Sequence, residues 1–77
     1  MADSASARYS LTRRERQCLS YLAKGLRLEE AAEAMGVSRK TAEKQLASAK
    51  SKLSANTREH AVAIAIQNNL LFVEEAE

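Results

Sequence analysis

Gly25 and Gly36 are the only glycines in a chain of 77 residues that has no proline. The rest is dominated by Ala, Leu, Glu, Lys and Arg, which lose little on entering a helix, while the β-branched and aromatic residues that strands favour are few. An all-α fold is therefore expected, broken at the two glycines. The length suits one domain, whose core would bury only about 60% of the unfolded chain's surface. Cys18, the single cysteine, has no partner for an intrachain disulfide and lies on an apolar stripe, so it reads as a small core residue. The apolar runs at 61–66 and 70–73 are too short to span a bilayer, and residues 1–10 lack the apolar stretch of a signal peptide. A cytoplasmic protein is expected.

Cap signals divide the chain further. Thr12-Arg13-Arg14-Glu15 has capping-box spacing: the Thr hydroxyl accepts from the N3 amide and the Glu carboxylate accepts from the N-cap amide. Cys18, Leu19 and Leu22 follow as an apolar stripe that stops at Gly25, which predicts a first helix over about 13–24. A second is predicted over 28–35, with Glu29 and Glu30 near the positive end of its dipole and Ala31, Ala32 and Met35 inside. Gly36-Val37-Ser38 reads as a tight turn ending in a cap. In a third helix, over 39–53, Ala42, Leu46, Ala49 and Leu53 share one stripe, and Lys40, Lys44, Ala47, Ser48 and Ser51 lie opposite.

Asn56-Thr57 is the next turn and cap. A fourth helix over 58–68 is predicted to bury Ala61, Val62, Ala65 and Ile66, while Ile64 falls outside that stripe and reads as a candidate partner contact. Leu70, Leu71 and Phe72 are expected to fold back over the helix ends. The domain thus spans 11–73 in this reading, between a flexible leader at 1–10 and an acidic tail at 74–77.

The net charge of +2 conceals an asymmetry. Within 38–58, Arg39, Lys40, Lys44, Lys50, Lys52 and Arg58 stand against Glu43 alone, whereas 59–77 holds four glutamates and no cation. Most charged helix faces are simply solvated. On this one the lysines are separated by small residues, with no acid at i+4 from Lys40 or Lys44, so a polyanion can approach closely.

Several blocks then fall at one family's spacing: Leu11-Thr12-x-Arg14-Glu15-Arg16, Leu19 with Leu22-Ala23-x-Gly25, Glu30-x-Ala32-x-x-Met35-Gly36-Val37-Ser38, Lys40-Thr41, Leu46, Lys52-Leu53, and Arg58 with Ala61-Val62. Together they resemble the LuxR/GerE-type DNA-binding domain, also found at the end of NarL/FixJ-type response regulators, over about residues 11–72. The resemblance implies a helix-turn-helix over about 28–53, a third helix in the major groove, and a fourth helix that supplies a dimer contact. Base contacts are then expected at Glu43, Lys44 and Ala47, and backbone contacts at Arg39, Lys40, Thr41, Lys50 and Lys52. Ile64 and Asn68 are the expected dimer residues. Duplex DNA is the implied partner, with a second copy or a related LuxR-type regulator, and no cofactor, metal, membrane or small-molecule ligand is called for.

The departures from the family matter too. Ala31, Ala42 and Ala49 replace bulkier aliphatics, Glu43 stands where a basic residue is common, and Ser54 replaces a frequent glycine. The family's phosphoacceptor and acyl-homoserine lactone input domains have no counterpart in these 77 residues, so a stand-alone regulator or an excised C-terminal domain is expected.

The principal alternative is an anti-activator that pairs with a full-length relative through its fourth helix without binding DNA productively. A fragment like sigma-factor region 4 fits less well, because the sequence continues from Thr57 to Phe72. Enzyme chemistry is not expected: His60 is the single histidine and no metal-ligand set accompanies it.

Overall fold

The computed structural model describes residues 10–71. The leader at 1–9, Phe72 of the expected apolar plug, Val73 and the acidic tail at 74–77 lie outside the described residues. Among those described, four helices form and no strand: α1 (Arg13–Ala23), α2 (Leu28–Met35), α3 (Arg39–Leu53) and α4 (Arg58–Gln67). None is long and apolar enough to cross a membrane. α1 and α3 form the centre, each packing on the other three helices, and α2 and α4 flank them.

Three of the four helices begin on the group that their cap signal predicts. Thr12 Oγ1 accepts from the Glu15 amide at 3.0 Å while Glu15 Oε1 accepts from the Thr12 amide at 2.9 Å, which completes the capping box. Ser38 and Thr57 cap α3 and α4 in the same way, through the amides of Thr41 and His60. At α2 the N-cap is Arg27, whose amide donates to Glu30 Oε1 at 2.8 Å. Gly25 and Gly36 take φ of 97° and 74° where the chain leaves α1 and α2, the left-handed region that glycine enters without cost.

Ser54 closes α3 in that same region, at φ 56°. A Cβ there strains the backbone that glycine would accept. Ser54→Gly is accordingly expected to stabilise the domain by about 0.5–1 kcal/mol, read as a higher denaturation midpoint with an unchanged m-value.

The interior is made of few large side chains. Leu19, Leu70 and Cys18 are the largest that are fully buried, and Ala31, Ala42, Ala49, Ala61 and Ala65 fill the seams between helices. Burial pushes the Cys18 thiol up, against an opposing pull from Arg58, and keeps it protonated. Alanine seams let backbones approach closely but remove little apolar area from water, so a large share of the hydrophobic term falls on Leu11, Leu19, Leu53 and Leu70. Leu70 closes the base of the core, and its carbonyl accepts from Arg16 Nε at 2.8 Å. Arg14 Nη1 reaches the carbonyl of Met35 at 3.3 Å, placing a cation at the negative end of α2.

α4 requires a correction. Ile66, expected inside, is 54% exposed, whereas Ile64, expected outside, packs against the core. With successive side chains about 100° apart, Ala61 and Ala65 define the centre of the buried face. Ile64 and Val62 flank that centre at roughly 80° on either side, and Ile66 lies about 120° away. Assigning Ala61, Val62, Ala65 and Ile66 to one stripe placed the helix half a face out of phase.

Candidate nucleic-acid interface

α2, the Gly36-Val37-Ser38 turn and α3 form a helix, a tight turn and a second helix whose axis is exposed along one side. Lys40, Lys44, Ala47 and Ser51 fall within an arc of about 60° on α3, and all four are exposed. Among the described residues neither Lys40 nor Lys44 forms an ion pair. The opposite side holds Ala42, Ala49 and Leu53, all buried. Of the expected base contacts, Lys44 and Ala47 therefore share this face with Lys40, and Glu43 lies on its edge.

At that edge Glu43 is paired with an arginine and not with the neighbouring lysines. Glu43 Oε2 pairs with Arg39 Nε at 3.2 Å, and Arg39 also reaches Glu29 of α2 at 4.0 Å. Thr41 is half-buried, with its amide and hydroxyl both engaged by Ser38. Lys50 lies on the same edge as Arg39, beside Leu46. Ile64 and Asn68, the expected dimer residues, are both half-buried, and Asn68 Nδ2 donates to the Ile64 carbonyl at 2.9 Å.

The opposite edge of α3 is tied into the fold. Ser48, expected to face outward, donates its hydroxyl to Glu15 Oε2 at 2.6 Å, and Lys52 Nζ meets Glu15 Oε1 at 2.9 Å and the Ser10 carbonyl at 3.0 Å. Lys52 was an expected backbone contact, but it could serve a phosphate fully only by leaving Glu15, 5% exposed, without its counter-charge. Burial alone would raise the Glu15 carboxyl. The bonds from Ser48, Thr12 and Lys52 outweigh it, and hold the group below its ordinary value.

Residues 9–65 match the bacterial regulatory proteins of the luxR family. The chain belongs to that family. Over 61 residues it is 41% identical to the transcriptional activator protein BjaR1 of Bradyrhizobium diazoefficiens, a stretch that covers 79% of this chain and 25% of that protein. The chain thus spans about a quarter of the length of this curated relative. No solved structure matches it significantly.

Within this luxR-family domain, two site features escaped the reading of the sequence. The Arg39–Glu43 pair has ordinary i, i+4 spacing, which is legible in the sequence on the arginine side of the helix and not on the lysine side. The Glu15–Ser48–Lys52 cluster was half-legible: Ser48 and Lys52 are one turn apart, so a group facing one faces both. That Glu15 is this group depends on how α1 crosses α3, which local spacing does not encode.

Proposed function

We propose that this domain binds duplex DNA sequence-specifically and regulates transcription, with α3 in the major groove, Lys44 and Ala47 toward the bases and Lys40 toward the backbone. The observation that carries this is the exposed stripe of Lys40, Lys44, Ala47 and Ser51, cationic and unencumbered by long neutral side chains, on the second helix of a luxR-family helix-turn-helix. A major groove about 12 Å wide admits such a helix. Lys44 suits the acceptors of a guanine edge, Ala47 permits close approach or contacts a thymine methyl, and the Glu43 carboxylate, at the edge of the stripe, is of the type that accepts from a cytosine amino group. Lys40, Arg39 and Lys50 supply backbone contacts in this proposal, with Thr41 fixing the start of α3.

Fluorescence titration of labelled duplexes at several salt concentrations tests it. Log affinity should fall with log salt by about 0.9 per phosphate neutralised. Lys40→Ala should weaken all duplexes alike and flatten the slope by about 0.9, whereas Lys44→Ala should change which duplex is preferred. A Lys40 variant that altered base preference alone would remove its backbone role.

We further propose that two copies pair through α4, so that two α3 helices reach successive turns of the groove about 34 Å apart. Ile66 replaces Ile64 as the centre of that contact, because it is the large aliphatic left exposed on α4. Ile66→Glu should yield a helical monomer in sedimentation, and a wild type that sediments as a monomer at high concentration removes the proposal. The anti-activator alternative uses the same surface to capture a related regulator. It requires that wild type retain no duplex at low salt.

A further inference from the structure

Because α2 and α4 flank α3, an open cleft remains between their first turns. Arg27, Leu28 and Glu29 line it on one side and Arg58 and Glu59 on the other, with Arg39, Leu46 and Lys50 of α3 along its floor. Four cations from three separate segments thus converge on one groove. The two carboxylates are accounted for within the fold: both stand in first turns, where they complement the helix dipoles, and Glu29 also pairs with Arg39.

The cleft adjoins one edge of the exposed α3 stripe. A helix lying in the major groove has a phosphate backbone along each edge, so the cations of this cleft would meet one strand. On the other edge Lys52 and Ser48 are engaged by Glu15. On the cleft edge Arg39 is shared with the exposed Glu43 and Glu29, but Arg27, Lys50 and Arg58 remain, whereas Lys52 is held by the buried Glu15, so the two edges are unequal in available positive charge.

Resting on the DNA-binding proposal above, we infer that this cleft is a phosphate-binding site for one DNA strand, with Arg27 and Arg58 joining Arg39 and Lys50 as backbone contacts from outside the recognition helix. The grip on the duplex is one-sided. Most of the backbone charge is neutralised beside the Arg39 edge, and little beside the Lys52 edge.

The test is the salt slope of duplex binding for wild type, Arg27→Gln, Arg58→Gln and, as a control cation outside the cleft, Arg13→Gln. Each cleft variant is expected to flatten log affinity against log salt by about 0.9, with Arg13→Gln changing it far less. Arg27→Lys and Arg58→Lys keep the charge and should restore the wild-type slope, which guards against loss through misfolding. Equal flattening by all three glutamine variants would indicate a general charge effect and overturn the cleft. Wild-type binding with a slope unmoved by Arg27→Gln and Arg58→Gln also overturns it, while leaving DNA binding intact. Failure of the wild type to retain any duplex at low salt overturns both.

Discussion

Lys52→Met is expected to destabilise the domain by about 2–3 kcal/mol, well above the cost of losing an ordinary surface cation. Glu15 stays buried in that variant with its carboxylate bonded to Ser48 and the Thr12 amide but without a counter-charge. Breaking a fully buried pair costs about 3–5 kcal/mol, and the figure is reduced here because the Lys52 side chain is 33% exposed. Adding Glu15→Gln to Lys52→Met should recover part of the loss, since the unpaired charge is then gone. Denaturant unfolding of the two single variants and the double variant measures the coupling. Stability should also respond to acid. Because the folded state holds the Glu15 carboxyl below its ordinary value of 4.5, its contribution is complete above that value and is lost as pH falls through the lower folded value. Glu15→Gln should flatten this part of the pH profile. A Lys52→Met protein as stable as wild type would mean that the seam between α1 and α3 does not depend on this pair.

The second large effect is expected in binding. Glu43→Lys should tighten binding to every duplex and steepen the salt dependence by up to about 1.8, two cations at about 0.9 each. One is the new lysine. The other is Arg39, for which Glu43 at 3.2 Å competes with the phosphate in the wild type and which the substitution releases fully. A fourfold reduction in salt should then multiply the variant's advantage over wild type by up to about twelve. Glu43→Gln releases Arg39 without adding charge, so its corresponding gain is at most about three- to fourfold, at up to about 0.9 in slope. If Glu43 also accepts from a cytosine, both variants lose preference at one base pair in each half-site. Equal slopes for wild type and Glu43→Lys would place Glu43 away from the phosphates.

The helices were legible in the sequence because their ends are chemically marked. Thr12, Ser38 and Thr57 accept from the amides that their positions predict, and Gly25 and Gly36 adopt the left-handed backbone that ends α1 and α2. The exposed stripe of α3 was legible for a similar reason, since its period is sharp and the opposite side is almost wholly alanine and leucine. α4 was harder. Six of its ten residues are aliphatic, so its periodicity barely distinguishes one face from another, and only the packing against α1 and α3 decides between Ile64 and Ile66. The cleft was illegible for a different reason. Arg58 falls within the basic segment 38–58 but Arg27 lies outside it, and their convergence on Arg39 and Lys50 depends on how α2 and α4 pack beside α3, which local spacing does not encode.

The proposal that α3 reads DNA is met most directly by selecting bound duplexes from a random library with the wild-type chain at physiological salt. The enriched sequence is then titrated beside a scrambled duplex with wild type and Lys44→Ala. Enrichment of a defined motif is expected, bound more tightly than the scramble, with Lys44→Ala lowering that preference by about 5- to 160-fold, as the loss of one direct base contact worth about 1–3 kcal/mol implies. A library that emerges unenriched, from a wild type that retains no duplex even at low salt, refutes it.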